Sequence, residues 1–258
     1  MASGSEKEYT VIGAWTRYSS WTARVTTLLD FYEIPYEAVI TSLEEATKLS
    51  HSGLVPALTV RSLGEDIQVN DSLAILEFLA EAHPDLPFWP KDRALRALAR
   101  SAVARMHSGL CRTLQATCGT NFLGQYTGNV PISDDAIVEA KRTLALWSQL
   151  RKKTAERLKE LGQDDKGFLF GEFGIADSVF WPVLWRFRSY GLPLDSATPG
   201  ALAWMRQMWA HPKMKAIQQG YHRQGKRAET VIPAYDNIFK DRLDVQYSWF
   251  PEDWELTP

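Results

Sequence analysis

The sequence predicts two domains of different class: an α/β domain over residues 9–83 and an all-helical domain over 92–220. Three observations carry this. Up to about residue 83, short β-branched apolar runs alternate with segments of helical period. Three prolines, Pro84, Pro87 and Pro90, then fall within seven residues, a stretch that can be neither helix nor central strand. Beyond them the period is helical in every patterned segment up to about residue 220. The 258 residues are 45% apolar, so a buried core is expected. A net charge of -2 argues against an electrostatically driven nucleic-acid binder. The polar start MASGSEKEY and the lack of any run near 18 apolar residues argue against a secretory signal or membrane span. The only cysteines, Cys111 and Cys118, are seven apart on an expected helix. That spacing puts their Cα atoms about 10 Å apart, too far for a disulfide. A reducing, cytoplasmic setting fits.

Residues 1–8 read as a disordered leader. Tyr9–Gly13 is a strand, and Val25, Leu28, Leu29 and Tyr32 define a helix from about Trp21 that ends before Pro35. Tyr36–Thr41 is a second strand and Leu43–Leu49 a short polar helix. Pro56–Val60 and Ile67–Val69 flank Leu63-Gly64-Glu65-Asp66, which has hairpin chemistry. A helix over Asp71–His83 closes the domain. This order is that of a thioredoxin-like fold. Residues 84–91 are the linker. The helical half is predicted as Asp92 towards Cys118, Ser133–Leu161, Ile175–Tyr190, Pro199–Ala210 and Pro212–Gly220. Residues 221–258 are irregular but rich in aromatics. They are expected to pack back across or beside the active-site cleft through Trp249, Phe250 and Trp254.

Chemistry concentrates at two helix starts. Ser19 and Ser20 sit where the first strand hands over to a helix, whose free N–H groups and positive dipole end suit an anion. Either serine can also serve simply as N-cap. Asp71 and Ser72 stand at a second helix start; the hydroxyl suits a ligand carboxylate and Asp71 an ammonium. Between them, Val55-Pro56 precedes a strand. A cis bond there would turn the Val55 main chain outward to pair with an extended peptide. A thiolate site, a peptide edge and an amino-acid head site together fit glutathione.

The same residues resemble the cytosolic glutathione S-transferase superfamily. Ser19-Ser20-Trp21-Thr22-Ala23-Arg24-Val25 is similar to the SS-C-x-x-R-V of its zeta class. Ser50-His51-Ser52-Gly53-Leu54-Val55-Pro56-Ala57-Leu58 resembles S-P-x-G-x-V-P-x-L, and Asn70-Asp71-Ser72-Leu73-Ala74-Ile75 resembles E-S-x-A-I. In the helical half, Met106-His107-Ser108-Gly109 and Trp181–Phe187 resemble a bacterial branch. Phe168–Asp177 resembles the motif G-x-x-[ST]-x-A-D. The likeness covers about residues 9–220. Asp71 replaces the usual Glu, Gly174 the usual capping Ser or Thr, and Trp21 the zeta-class cysteine.

The resemblance implies glutathione as co-substrate, a homodimer, and roles residue by residue. Ser19 would donate to the glutathione sulfur. A thiol shift of about two units is worth roughly 2.7 kcal/mol. A hydrogen bond to a charged group (about 1.5–3 kcal/mol) and a helix start (about 0.3–1) supply that without a histidine base. Asp71 and Ser72 would hold the γ-glutamyl head, Val55 and Pro56 the peptide, and His51 the glycine carboxylate. Arg24, Asp177 and His107 read as structural. No metal-ligand spacing occurs, so no metal is expected. The second substrate would sit between the domains, walled by Trp15, Tyr18, Trp21, Met106, Leu110, Cys111, Trp181 and Trp185, which suggests a flat apolar molecule, aromatic or polyene. Conjugation of an electrophile is the leading reaction. Glutathione-dependent cis–trans isomerisation and non-catalytic ligand binding are the alternatives.

Overall fold

The computed structural model describes residues 7–64 and 67–256. The leader over residues 1–6 and the hairpin tip at Glu65-Asp66 lie outside the described residues. Lys7 and Glu8, placed in the leader by sequence, are tied to the sheet. Lys7 Nζ donates to Tyr36 O (2.7 Å), and the Arg61 N–H donates to Glu8 O (2.9 Å).

The first domain holds strands β1 (Tyr9–Ala14), β2 (Tyr36–Thr41), β3 (Ala57–Val60) and β4 (Gln68–Asn70). They form one sheet in the order β2-β1-β3-β4. β1 runs parallel to β2 and antiparallel to β3, in register Val11↔Ala38 and Val11↔Leu58. Helices α1 (Ser20–Phe31), α2 (Leu43–Leu49) and α3 (Ser72–Ala82) complete a thioredoxin-like layer. α1 lies so close to the sheet that a Cβ on Gly13 would stand 2.2 Å from Thr22 Cγ2. Only glycine fits there.

The second domain is helical. It comprises α4 (Arg93–Arg105), α5 (Arg112–Thr117), α6 (Asp134–Glu160), α7 (Ile175–Ser189), α8 (Pro199–Ala210) and α9 (Pro212–Gly225). The single helix expected from Asp92 to Cys118 is broken. A π-helical turn occupies Met106–Leu110, where Gly109 adopts φ 129°. α5 then starts afresh under the carboxylate of Glu139 on α6, which accepts from the Thr113 and Leu114 N–H groups (3.1 and 2.8 Å).

Gly174 at the head of α7 also finds its reason. A Cβ there would lie 2.8 Å from the linker carbonyl of Phe88, and that carbonyl accepts from the Ile175 N–H (3.0 Å). The linker main chain thus caps the helix, in place of the Ser or Thr hydroxyl of the motif this stretch resembles. The two domains share one core, with Phe31 of α1 stacked on Phe173 at 3.7 Å.

The C-terminal segment holds a 3-10 turn (Ala228–Thr230), the short α10 (Pro233–Asp236) and β6 (Val245–Trp249). β6 pairs antiparallel with β5 (Gly124–Gly128), in register Tyr126↔Tyr247. The sequence carries no signal for this sheet, because its strands are short and over a hundred residues apart, and β5 is glycine at both ends. Phe250 and Trp254 fasten the segment by enclosing the half-buried Arg188 guanidinium, 4.2 and 5.2 Å from their ring centres.

Candidate active site

Between the domains lies a cleft of about 810 Å³. Its first wall comes from the start of α1, the loop before β3 and the start of α3. Ser19 is the N-cap of α1: its Oγ accepts from the Thr22 N–H at 3.3 Å and lies 2.9 Å from Thr22 Oγ1. A hydroxyl has one proton and two lone pairs, so with the Thr22 N–H and Thr22 Oγ1–H both donating to Ser19 Oγ, its own proton is left to give. Ser19 lines the cleft, half-buried at the positive end of a twelve-residue helix. Cap and donor are compatible roles. The neighbouring Tyr18 hydroxyl is already committed: it donates to Asp236 Oδ1 at 2.7 Å, and burial raises its pKa far above the ordinary value.

Asp71 is the N-cap of α3, its Oδ1 accepting from the Leu73 N–H at 2.7 Å. It sits at φ 74°, a conformation costing a non-glycine residue about 1–3 kcal/mol. Its other oxygen, Oδ2, lies 3.2 Å from His107 Nε2 across the domain boundary. His107 in turn meets the Trp21 ring edge-on at 5.4 Å. A side chain read from sequence as locally packed therefore bridges the domains beside the head site. Ser72 is buried next to Asp71 and lines the cleft. The loop before β3 is held by Asn70, whose Oδ1 accepts from Ser50 and Ser52 (3.0 and 2.8 Å). This presents Val55 to the cleft, and the Val55–Pro56 bond is cis. Pro56 is buried behind it. His51 is exposed, outside the cleft lining, with its N–H donating to Gln68 Oε1 (2.7 Å).

The second wall differs from expectation. Trp15, Tyr18 and Trp21 line the cleft, but Met106, Leu110, Cys111, Trp181 and Trp185 do not. Trp181 and Trp185 belong to the helical core, packed on Trp209 (4.5 Å) and Phe122 (5.1 Å). Met106 and Cys111 are wholly buried, and Leu110 is partly buried against that core. Burial pushes the Cys111 and Cys118 thiols up, and both are free. In their place stand Gln115, Gly119, Thr120 and Arg186, with Ile232 and Tyr235 from the C-terminal segment.

Arg186 is 3% exposed. Its Nε and Nη1 donate to the Cys118 and Pro182 carbonyls (2.8 and 3.1 Å). Among the described residues Nη2 has no partner and no carboxylate is in ion-pair reach. Arg24 is buried with no hydrogen-bond partner among the described residues, its guanidinium 4.0 Å over the Trp21 ring. Burial, with Arg186 nearby, pushes its pKa down to about 9. Arg186 therefore makes the wall it lines receptive to negative charge, while Arg24 lies behind Trp21, outside the lining. The signal for Arg186 was present, a charge inside an otherwise apolar helical run.

Among the described residues no cluster of three or more His, Cys, Asp or Glu side chains is arranged to hold a metal, and no helix is long and apolar enough to cross a membrane. A second cavity of about 550 Å³ lies under the linker around Phe88 and Trp89, away from both serines.

Residues 18–82 match the family model described as glutathione S-transferase, N-terminal domain, and residues 131–207 the one for the C-terminal domain. Glutathione S-transferase 1 of Dianthus caryophyllus is 30% identical over 172 residues, which span 64% of this chain and 71% of that protein. This chain belongs to the glutathione S-transferase family. A probable maleylacetoacetate isomerase of Caenorhabditis elegans is 38% identical over 97 residues, 37% of this chain and 45% of that protein. The chain spans about half the length of the first such relatives, 45 to 58%. Among solved structures, a glutathione transferase homolog from Burkholderia with bound glutathione superposes with TM-score 0.59 at 21% identity. That match covers 84% of this chain and all of the other. The transferase fold is thus common to both, with Ser19, Asp71 and Ser72 at its two cleft-facing helix starts.

Proposed function

We propose that this protein binds glutathione in the interdomain cleft and that the Ser19 hydroxyl donates to its sulfur, favouring the thiolate for attack on an unsaturated substrate. The observation that carries the reading is the Ser19 hydroxyl at the cleft-facing start of α1. Asp71 takes the γ-glutamyl ammonium, Ser72 the adjoining carboxylate, and the Val55 main chain the peptide. Trp15 and Trp21 flank the sulfur position and the organic substrate.

Isomerisation is the outcome this cleft favours. The thiolate adds to an activated C=C bond, and the displaced π electrons move onto the conjugated carbonyl oxygen as an enolate. The former double bond, now single, rotates; the enolate then re-forms C=C and expels the thiolate. Nothing is consumed. Arg186 supports this course, because it lines the cleft with a guanidinium nitrogen not used in its bonds to Cys118 and Pro182, a donor that could stabilise enolate charge. The relatives named maleylacetoacetate isomerase support it too.

The test is calorimetric titration with glutathione, followed by incubation with glutathione and a maleyl compound while free thiol and geometric isomers are followed. Isomer formation at constant thiol is the expected result. Stoichiometric thiol loss with a stable thioether would assign conjugation instead. No heat of binding would leave only a ligand-binding role without glutathione.

A further inference from the structure

The segment after α9 contributes two side chains to the cleft, and the chemistry holding them there is unusually specific. Ile232 and Tyr235 line the second wall, and Tyr235 faces Tyr18 with ring centres 6.0 Å apart. Immediately after them, Asp236 is held through one carboxylate oxygen and its main-chain carbonyl. Its Oδ1 accepts from Tyr18 OH (2.7 Å), Arg17 Nη1 (3.0 Å) and Asn121 Nδ2 (3.3 Å). Its main-chain oxygen accepts from Asn121 Nδ2 (3.0 Å) and Tyr126 OH (3.2 Å). Arg17 is completely buried, and its guanidinium lies 4.0 Å over the Tyr18 ring. A four-residue helix such as α10 cannot hold its own shape in water. Its position must come from these bonds and from the β5–β6 pairing beyond.

We propose that Ile232 and Tyr235 select the second substrate, and that Asp236 is the positioning residue that holds both over the cleft. This rests on the glutathione-dependent reading above. The residues forming the wall are apolar at Ile232 and amphipathic at Tyr235. The cleft therefore admits an organic body against Ile232 and the Tyr235 ring while the reactive end lies towards Ser19. Because Asp236 and Tyr18 share a hydrogen bond, the same carboxylate fixes one residue of each wall. The width of the cleft is then set by a side chain that does not itself line it.

The experiment uses Ile232→Ala, Tyr235→Ala, Asp236→Asn and Asp236→Ala in the full chain, each checked for folding by circular dichroism. Glutathione binding is measured by calorimetry, and kcat and KM with a graded series of small to bulky electrophiles. Tyr235→Ala and Ile232→Ala should shift the bulky-to-small ratio of kcat/KM by about tenfold, mainly in KM, since one removed apolar group in a pocket is worth roughly that. Glutathione affinity should not change. Asp236→Ala should reproduce the shift, and Asp236→Asn, which keeps an acceptor oxygen for Tyr18 and Arg17, should restore much of it. Wild-type selectivity in both wall variants would overturn the proposal, even if Asp236→Ala fails to fold. A shift that appears equally in glutathione affinity would also overturn it. If the wild type binds no glutathione, the underlying reading falls instead, which the first measurement shows on its own.

Discussion

The two walls of the cleft are made in different ways. The first is local. Ser19 caps α1 and Asp71 caps α3, each through an N–H two or three residues away. Both side chains are placed by the turn of helix that follows them, so a fragment of sequence suffices to locate them. The second wall is convergent: Arg186 from the middle of α7, Thr120 from the turn after α5, and Ile232 and Tyr235 from beyond α9. Thr120 arrives by donating to Tyr18 O (2.8 Å), and Tyr235 arrives through Asp236. The polar first wall can bind a common co-substrate, while the assembled second wall is free to differ between relatives.

The largest effect that would break this contrast lies in the head site. Asp71→Asn keeps an oxygen to accept from the Leu73 N–H, so α3 should stay capped while the charge for the ammonium is lost. Ser72→Ala removes the hydroxyl. Each should weaken glutathione binding by about 1.5–3 kcal/mol, and the double variant by roughly the sum if the two act independently. Calorimetry reads both. Wild-type affinity in the double variant would move the head group elsewhere and leave the first wall without its ligand.

Next in size is the sulfur site. Ser19→Ala should lower turnover by about ten- to a hundredfold, equivalent to roughly 1.4–2.7 kcal/mol, and raise the pKa of the bound thiol. Thr22 remains on α1, so the fold survives the loss of one cap at a cost of about 1 kcal/mol. Ultraviolet titration of the bound thiolate is the direct check. An unchanged thiol pKa would take Ser19 out of the mechanism and leave it as a cap only.

What could be read from the sequence follows the same division. Strand–helix alternation, the proline linker and the helical period located both domains, because each is a short-range pattern. Ser19, Asp71, Ser72 and Val55 were legible because turn and cap chemistry is local. Trp181 and Trp185 misled for a physical reason. Tryptophan suits a pocket and a core equally, and their orientation on α7 depends on which helices pack around it. The π turn at Met106–Leu110 was hidden because Gly109 inside a helical pattern costs only about 1 kcal/mol and need not break it. The β5–β6 sheet has no local signature at all. Its placement depends on Asn121, which holds Asp236 O and Tyr247 OH together (both 3.0 Å).

The smallest effect probes the head of α7, the helix whose middle brings Arg186 to the second wall but whose own start lies outside the cleft lining. Asp177 Oδ1 accepts from the Leu169 N–H (2.9 Å) and Trp204 Nε1–H (2.8 Å), and Oδ2 from the Gly174 N–H (3.0 Å). Burial nevertheless pushes its pKa up to about 6, from 3.8 for an unperturbed carboxyl. The folded value lies above the unfolded one, so between roughly pH 4 and 6 the folded chain holds a proton that the unfolded chain has released. Stability from this group therefore falls as pH rises through that window, by at most about 1.4 kcal/mol per pH unit. Asp177→Asn carries no such proton. The difference in unfolding free energy, variant minus wild type, should climb from pH 4 to 6 and level off by pH 7, as urea melts at each pH would show. Glutathione affinity should not follow it, since the first wall has no part in that titration. A constant difference across the range would mean that the three N–H donors keep the carboxylate ionised throughout.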